Sequence, residues 1–106
     1  MFGGRKNTIE VDKELFEKFL GVVKDAATGK LDGRITGIDK SDPLGEAAWS
    51  VNNLLDQTEA FMRETKTSIE AAGDGLEYRN VDHHGLKGAF KQNAQLVAHG
   101  VKGVIV

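Results

Sequence analysis

The residues with most chemistry to offer are few. Asp82, His83 and His84 set two imidazoles beside a carboxylate, a grouping that could ligate a metal or a haem iron, because neutral imidazole is a common ligand. His99 is the third and last His. Three His without a spaced fourth ligand do not make a metal set, and a turn in a connector accounts for 82–84 as simply. Gly73-Asp74-Gly75 has the glycines of a phosphate loop but lacks its Lys-Ser/Thr and the preceding strand. The Ser and Asp residues show no nucleophile–base spacing. Trp49 reads as a packing or dimer-flank residue, not a ligand platform. The chain is therefore expected not to be an enzyme, and no metal or cofactor is assigned to it.

Bulk properties narrow the class further. There are 106 residues, 40% hydrophobic and 28% charged, with a formal net charge of −2, so no basic face for nucleic acid is expected. The 7% aromatic content offers little bulk for a large globular core. Cys is absent, which excludes disulfides and fits a reducing compartment. No apolar run approaches the roughly 18 residues that cross a bilayer, and no signal-peptide pattern follows Met1. The expectation is a cytoplasmic segment without membrane insertion. Residues 1–10 read as a flexible start, and 102–106 as a tail without a helix stop or as a boundary inside a longer receptor.

The elements that must position everything else are helices. Residues 11–28 carry Leu15, Phe19, Val22 and Ala26 at spacings 4, 3, 4, beside a second row of Phe16, Leu20, Val23 and Ala27. Two adjacent rows make a stripe wide enough for more than one neighbour. Gly29 supplies a stop. Residues 29–43 read as an extended connector whose apolar Leu31, Ile35 and Ile38 pin it against the helices. Ser41-Asp42-Pro43 is a helix opening. From Leu44 to about Ala72 the positions Ala48, Val51, Leu55, Thr58, Met62, Thr65, Ile69 and Ala72 repeat at 3, 4, 3, 4, 3, 4, 3, a heptad seam. Such a helix is roughly 43 Å long, and the simplest cover for its seam is a second copy of the chain. The charged face of Asp56, Glu59, Arg63, Glu64 and Lys66 reads as a solvated flank, with Glu59 and Arg63 placed as an i,i+4 pair.

The halves echo one another. A second connector, 73–85, carries apolar anchors at Leu76 and Val81, and a last helix, 86–101, places Leu86, Phe90, Ala94, Val97 and Val101 on one face. Leu31, Asp32 and Arg34 fall on Leu76, Glu77 and Arg79 at an offset of 45. The order is helix, connector, helix, connector, helix, with the middle helix shared.

These residues resemble the HAMP domain of bacterial receptors. Ala27-Thr28-Gly29-Lys30-Leu31 matches the family's connector opening, with Leu31 and Ile35 as its anchors. Asp42-Pro43-Leu44-Gly45 keeps three of the four residues of its Asp-Glu-apolar-Gly motif, with Pro43 where the family has Glu. The second unit lacks that motif and has His84-Gly85-Leu86-Lys87-Gly88 instead. The resemblance implies an all-α fold of parallel homodimeric four-helix coiled-coil bundles: a first module over 11–62 and a divergent second over 58–101, stacked end to end on the shared middle helix. It also implies a signal relay between the adjoining input and output domains of a chemoreceptor-like protein. Small seam residues such as Ala48 and Thr58 would keep alternate packings close in energy, and Leu at either would lock one state. A non-switching spacer and a small haem sensor using His83, His84 or His99 are the competing readings.

Overall fold

Helix starts and stops in this chain are made by side chains that can be named. The computed structural model describes residues 7–73 and 85–104. Within them lie three helices, α1 (Lys13–Ala27), α2 (Gly45–Gly73) and α3 (Gly88–Val104), and no strand. Each begins one to two residues later than its sequence pattern, because the residues before it are used in capping. The chain divides into two compact units, Met1–Leu55 and Asp56–Val106, and α2 contributes to both.

In the first unit, Asp12 is the N-cap of α1, its carboxylate accepting the Leu15 N–H at 2.8 Å. Glu14 in the first turn and Lys24 in the last complement the helix dipole. The helix ends in a Schellman arrangement: Lys30 N–H donates to the Asp25 carbonyl and Gly29 N–H to the Ala26 carbonyl, both at 3.0 Å. This needs a left-handed residue, and Gly29 supplies it with φ 97°. The extended connector then returns to the helix start. Leu15, Ile35 and Ala48 form the buried core, with Phe19, Val22, Ile38, Leu44 and Val51 packed on it. Burying Leu15 or Ile35 contributes about 2 kcal/mol each.

In the second unit, Leu86, Ala94 and Ala98 are buried, with Ala60 and Phe61 of α2 and Phe90 of α3 against them. The Phe61 and Phe90 rings are tilted by 59° with centroids 6.1 Å apart, within the range of a favourable aromatic pair. Ser68 is also buried, and its hydroxyl has no hydrogen-bond partner. Among the described residues no helix is long and apolar enough to cross a membrane.

Candidate functional site

The candidate site is the seam where connector backbone meets the helices, and polar side chains set its geometry. Asp42 holds two helix starts at once. One carboxylate oxygen accepts from Leu44 N–H at 2.9 Å, while its backbone carbonyl accepts from Gly45 N–H at 2.8 Å. The other carboxylate oxygen accepts from Asp12 N–H at 2.8 Å, across thirty residues of sequence. In a capping box that N–H would be satisfied by an acidic or amide side chain at the third helical position. In α1 this position is Leu15, which is turned into the core instead. Asp42 therefore completes the cap of α1 from the start of α2.

Gly45 explains itself sterically. A Cβ there would stand 2.7 Å from the Asp39 carbonyl oxygen, a distance real side chains do not reach. Asp39 shapes the same turn, accepting from Ser41 Oγ at 2.7 Å and Ser41 N–H at 2.9 Å. Those bonds, the hydroxyl's first, hold its carboxyl below the usual carboxylate range.

Asn52 is a buried carboxamide, 7% exposed. It accepts from Ile35 N–H at 2.8 Å and donates to the Ile35 carbonyl at 2.9 Å. The connector cannot form a ladder with another strand here, so Asn52 satisfies both polar groups of its most buried residue. Arg34 folds back over the connector, its guanidinium donating to the Leu31 and Gly33 carbonyls at 2.6 and 2.7 Å. In the second unit Gln57 makes a comparable grip, donating to the Gly85 carbonyl at 2.7 Å and accepting from Lys87 N–H at 2.9 Å. The Lys87 carbonyl receives the first bonds of α3, from Phe90 and Lys91.

The residues singled out in the sequence distribute as follows. Leu15, Ile35, Ala48, Leu55, Leu86 and Ala94 are buried. Phe19, Val22, Ala26, Leu31, Leu44, Val51, Thr58, Phe90 and Val97 are half-buried. Met62 and Ile69, assigned to the seam of α2, are 52% and 58% exposed, and it is Ala60 and Phe61 that meet the core of the second unit. Leu76, Val81, Asp82, His83 and His84 lie outside the described residues. His99 is exposed on α3, beside an open surface hollow lined by Gln92, Gln95 and Leu96. Among the described residues no group of three His, Cys, Asp or Glu is placed to hold a metal.

Sequence reasoning missed Asn52, Gln57 and Ala98, and took Asp42 as a local cap alone. Asn52 left a signal. It follows Ala48 by four and precedes Leu55 by three, so it interrupts an apolar stripe, and a polar residue on such a stripe implies a buried partner. Gln57 left none, since a half-polar helix surface carries many such side chains.

No protein-family profile matches the chain, and no solved structure matches it. It is similar to a methyl-accepting chemotaxis protein of Paramagnetospirillum magneticum, 35% identical over 81 residues that make up 76% of this chain. The stretch corresponds to 19% of that protein, about a fifth of its length. On this likeness the chain carries a chemoreceptor-related region, and its secondary-structure elements among the described residues are all helices.

Proposed function

We propose that the chain is a non-enzymatic signal relay of HAMP type, two helix–connector–helix units joined by α2 in a parallel homodimer. It works inside a chemoreceptor-like protein, between an input and an output domain, on the cytoplasmic side. The observation that carries this reading is the open apolar face of α2. Leu54, Met62 and Ile69 are 55%, 52% and 58% exposed on one side of that helix. On α1, Phe16 and Leu20 are exposed beside the filled core. Large side chains grouped in this way mark an interaction surface, and a twin chain in register supplies the same stripe in return.

The connector geometry supports the same reading. Pro43 stands where the family carries Glu, and the link between helix starts is made by Asp42. Similarity to part of a chemotaxis receptor supports the setting. Sedimentation velocity of the 106-residue chain is expected to give a dimer. A monomer across the micromolar range would sink the proposal. Relay and passive spacer separate in a receptor carrying this segment: Ala48→Leu or Thr58→Leu is expected to bias output, whereas a spacer leaves output unchanged.

A further inference from the structure

In the second unit the register of α3 on α2 follows from the contacts between them. Gln57 bonds the Gly85 carbonyl and the Lys87 N–H, at 2.7 and 2.9 Å, and the Phe61 ring meets that of Phe90 at 6.1 Å. The partners are 28, 30 and 29 residues apart in sequence. Residue numbers therefore rise together, and this part of α2 runs beside α3 in the same direction. Continued along both helices, the same register sets residues 96–98 of α3 level with Ser68. Of these, Ala98 is buried.

Ser68 lies seven residues beyond Phe61, about two turns along α2 and about 20° around it. That places it on the arc of α2 that packs against the core of the second unit. It is 2% exposed, and among the described residues its hydroxyl has no hydrogen-bond partner. A hydroxyl buried unpaired forfeits the bonds it makes with water. The neighbouring hydroxyl shows the contrast, for Thr67 donates to the Arg63 carbonyl at 2.8 Å. The apolar side of the contact is graded in the same sense. Near the start of α3, Leu86 and two phenyl rings pack together, whereas level with Ser68 the buried residue of α3 is an alanine. A methyl group removes far less apolar surface from water than a ring does. The contact is strong where α3 begins and weak about two turns further on.

We propose that Ser68 is a built-in release point of the second unit. Its hydroxyl penalises the closed contact, and the far half of α3 lifts from α2 to let water reach it, while the end at Gln57 and Phe61 stays fixed. The device goes beyond the relay reading and needs no second copy, because Ser68 is already covered within its own chain.

Residue-resolved amide hydrogen exchange on the full chain tests this at three amides: Ala98 for the far end, Phe90 for the near end and Phe19 of α1 outside the unit. Ser68→Ala deletes the hydroxyl oxygen and adds nothing. It is expected to slow exchange at Ala98 roughly tenfold, the scale of one unpaired buried hydroxyl, and to leave Phe90 and Phe19 unchanged. Thr67→Ala controls for the higher helix propensity of alanine. It removes a paired hydroxyl, and exchange at Ala98 should be no slower than in the unsubstituted chain. Unchanged or faster exchange at Ala98 in Ser68→Ala would mean that the hydroxyl is satisfied in solution, as by the Glu64 carbonyl one turn back, and overturns the proposal. Equal slowing by both alanine variants, or at all three amides, overturns it too. Failure of Ser68→Ala to fold counts the same way, since the proposal requires that variant to be the more stable protein.

Discussion

At the scale of single residues the site is governed by close approach and hydrogen-bond supply. Gly45→Ala would drive a methyl group against the Asp39 carbonyl oxygen, 2.7 Å away and part of the backbone. The turn must shift, at a cost of about 1–3 kcal/mol. Gly21 makes the opposite case: it lies inside α1 with nothing within 4 Å of an added Cβ. Gly21→Ala should stabilise by roughly 0.5–1 kcal/mol through helix propensity. Urea midpoints of the two variants should therefore move in opposite directions. Equal midpoints would mean the close approach at Gly45 is not a constraint in solution. Ser41→Ala tests the same turn from the polar side. It removes the hydroxyl bond that contributes most to lowering the Asp39 carboxyl. The carboxyl should then titrate closer to its ordinary value, though still below it, since Ser41 N–H remains a donor. A lowered carboxyl in the fold stabilises above the unfolded value, and that stabilisation is lost as pH falls through the folded one. The variant should accordingly show a weaker acid dependence of stability, followed by NMR titration of Asp39 and by acid unfolding. The glycine was legible in the sequence as part of a motif. Its reason was not, because the oxygen it avoids belongs to a turn six residues upstream.

At the scale of elements, the periodic segments were readable and their joints were not. The heptad spacing from Ala48 onward pointed to a long helix, and the structure contains one of 29 residues. Spacing defines where apolar groups recur on a cylinder, so it carries helix type well and helix ends poorly. The ends depend on which N–H finds which acceptor. Asp42 shows why that information is scattered: its partner at Asp12 is thirty residues away. Asp42→Ala should loosen two helix starts, raising exchange at the Asp12 and Leu44 amides together. Asp12→Ala removes the cap of Leu15 alone, at about 1 kcal/mol, and leaves the Asp42 bond to Leu44 in place. Leu44 protection that survives Asp42→Ala would show that the carboxylate is dispensable to α2. The choice between the two apolar rows of a helix was likewise hidden. Ala60 and Phe61 meet the second core while Met62 stays open, a difference set by where α3 docks and not by spacing within α2.

At the scale of the whole molecule, the open stripe on α2 decides between arrangements of two chains, and the absence of Cys makes it measurable. Any single Cys introduced becomes the only thiol, so a disulfide can join only two copies. A disulfide needs Cα atoms within about 7 Å. In a parallel, in-register pair every seam position faces its own copy. Met62→Cys and Ile69→Cys should then both give covalent dimers on mild oxidation. In an antiparallel pair a position meets itself only where the axis of symmetry crosses the helix. Residues 62 and 69 are separated by about 10 Å of helix, so no more than one of them could lie there. Cross-linking at one position only would exclude the parallel pair, and cross-linking at neither would show that this face is not the one a twin covers. Asp56→Cys on the charged side is the control, exposed but off the stripe, and should form little covalent dimer under the same oxidation.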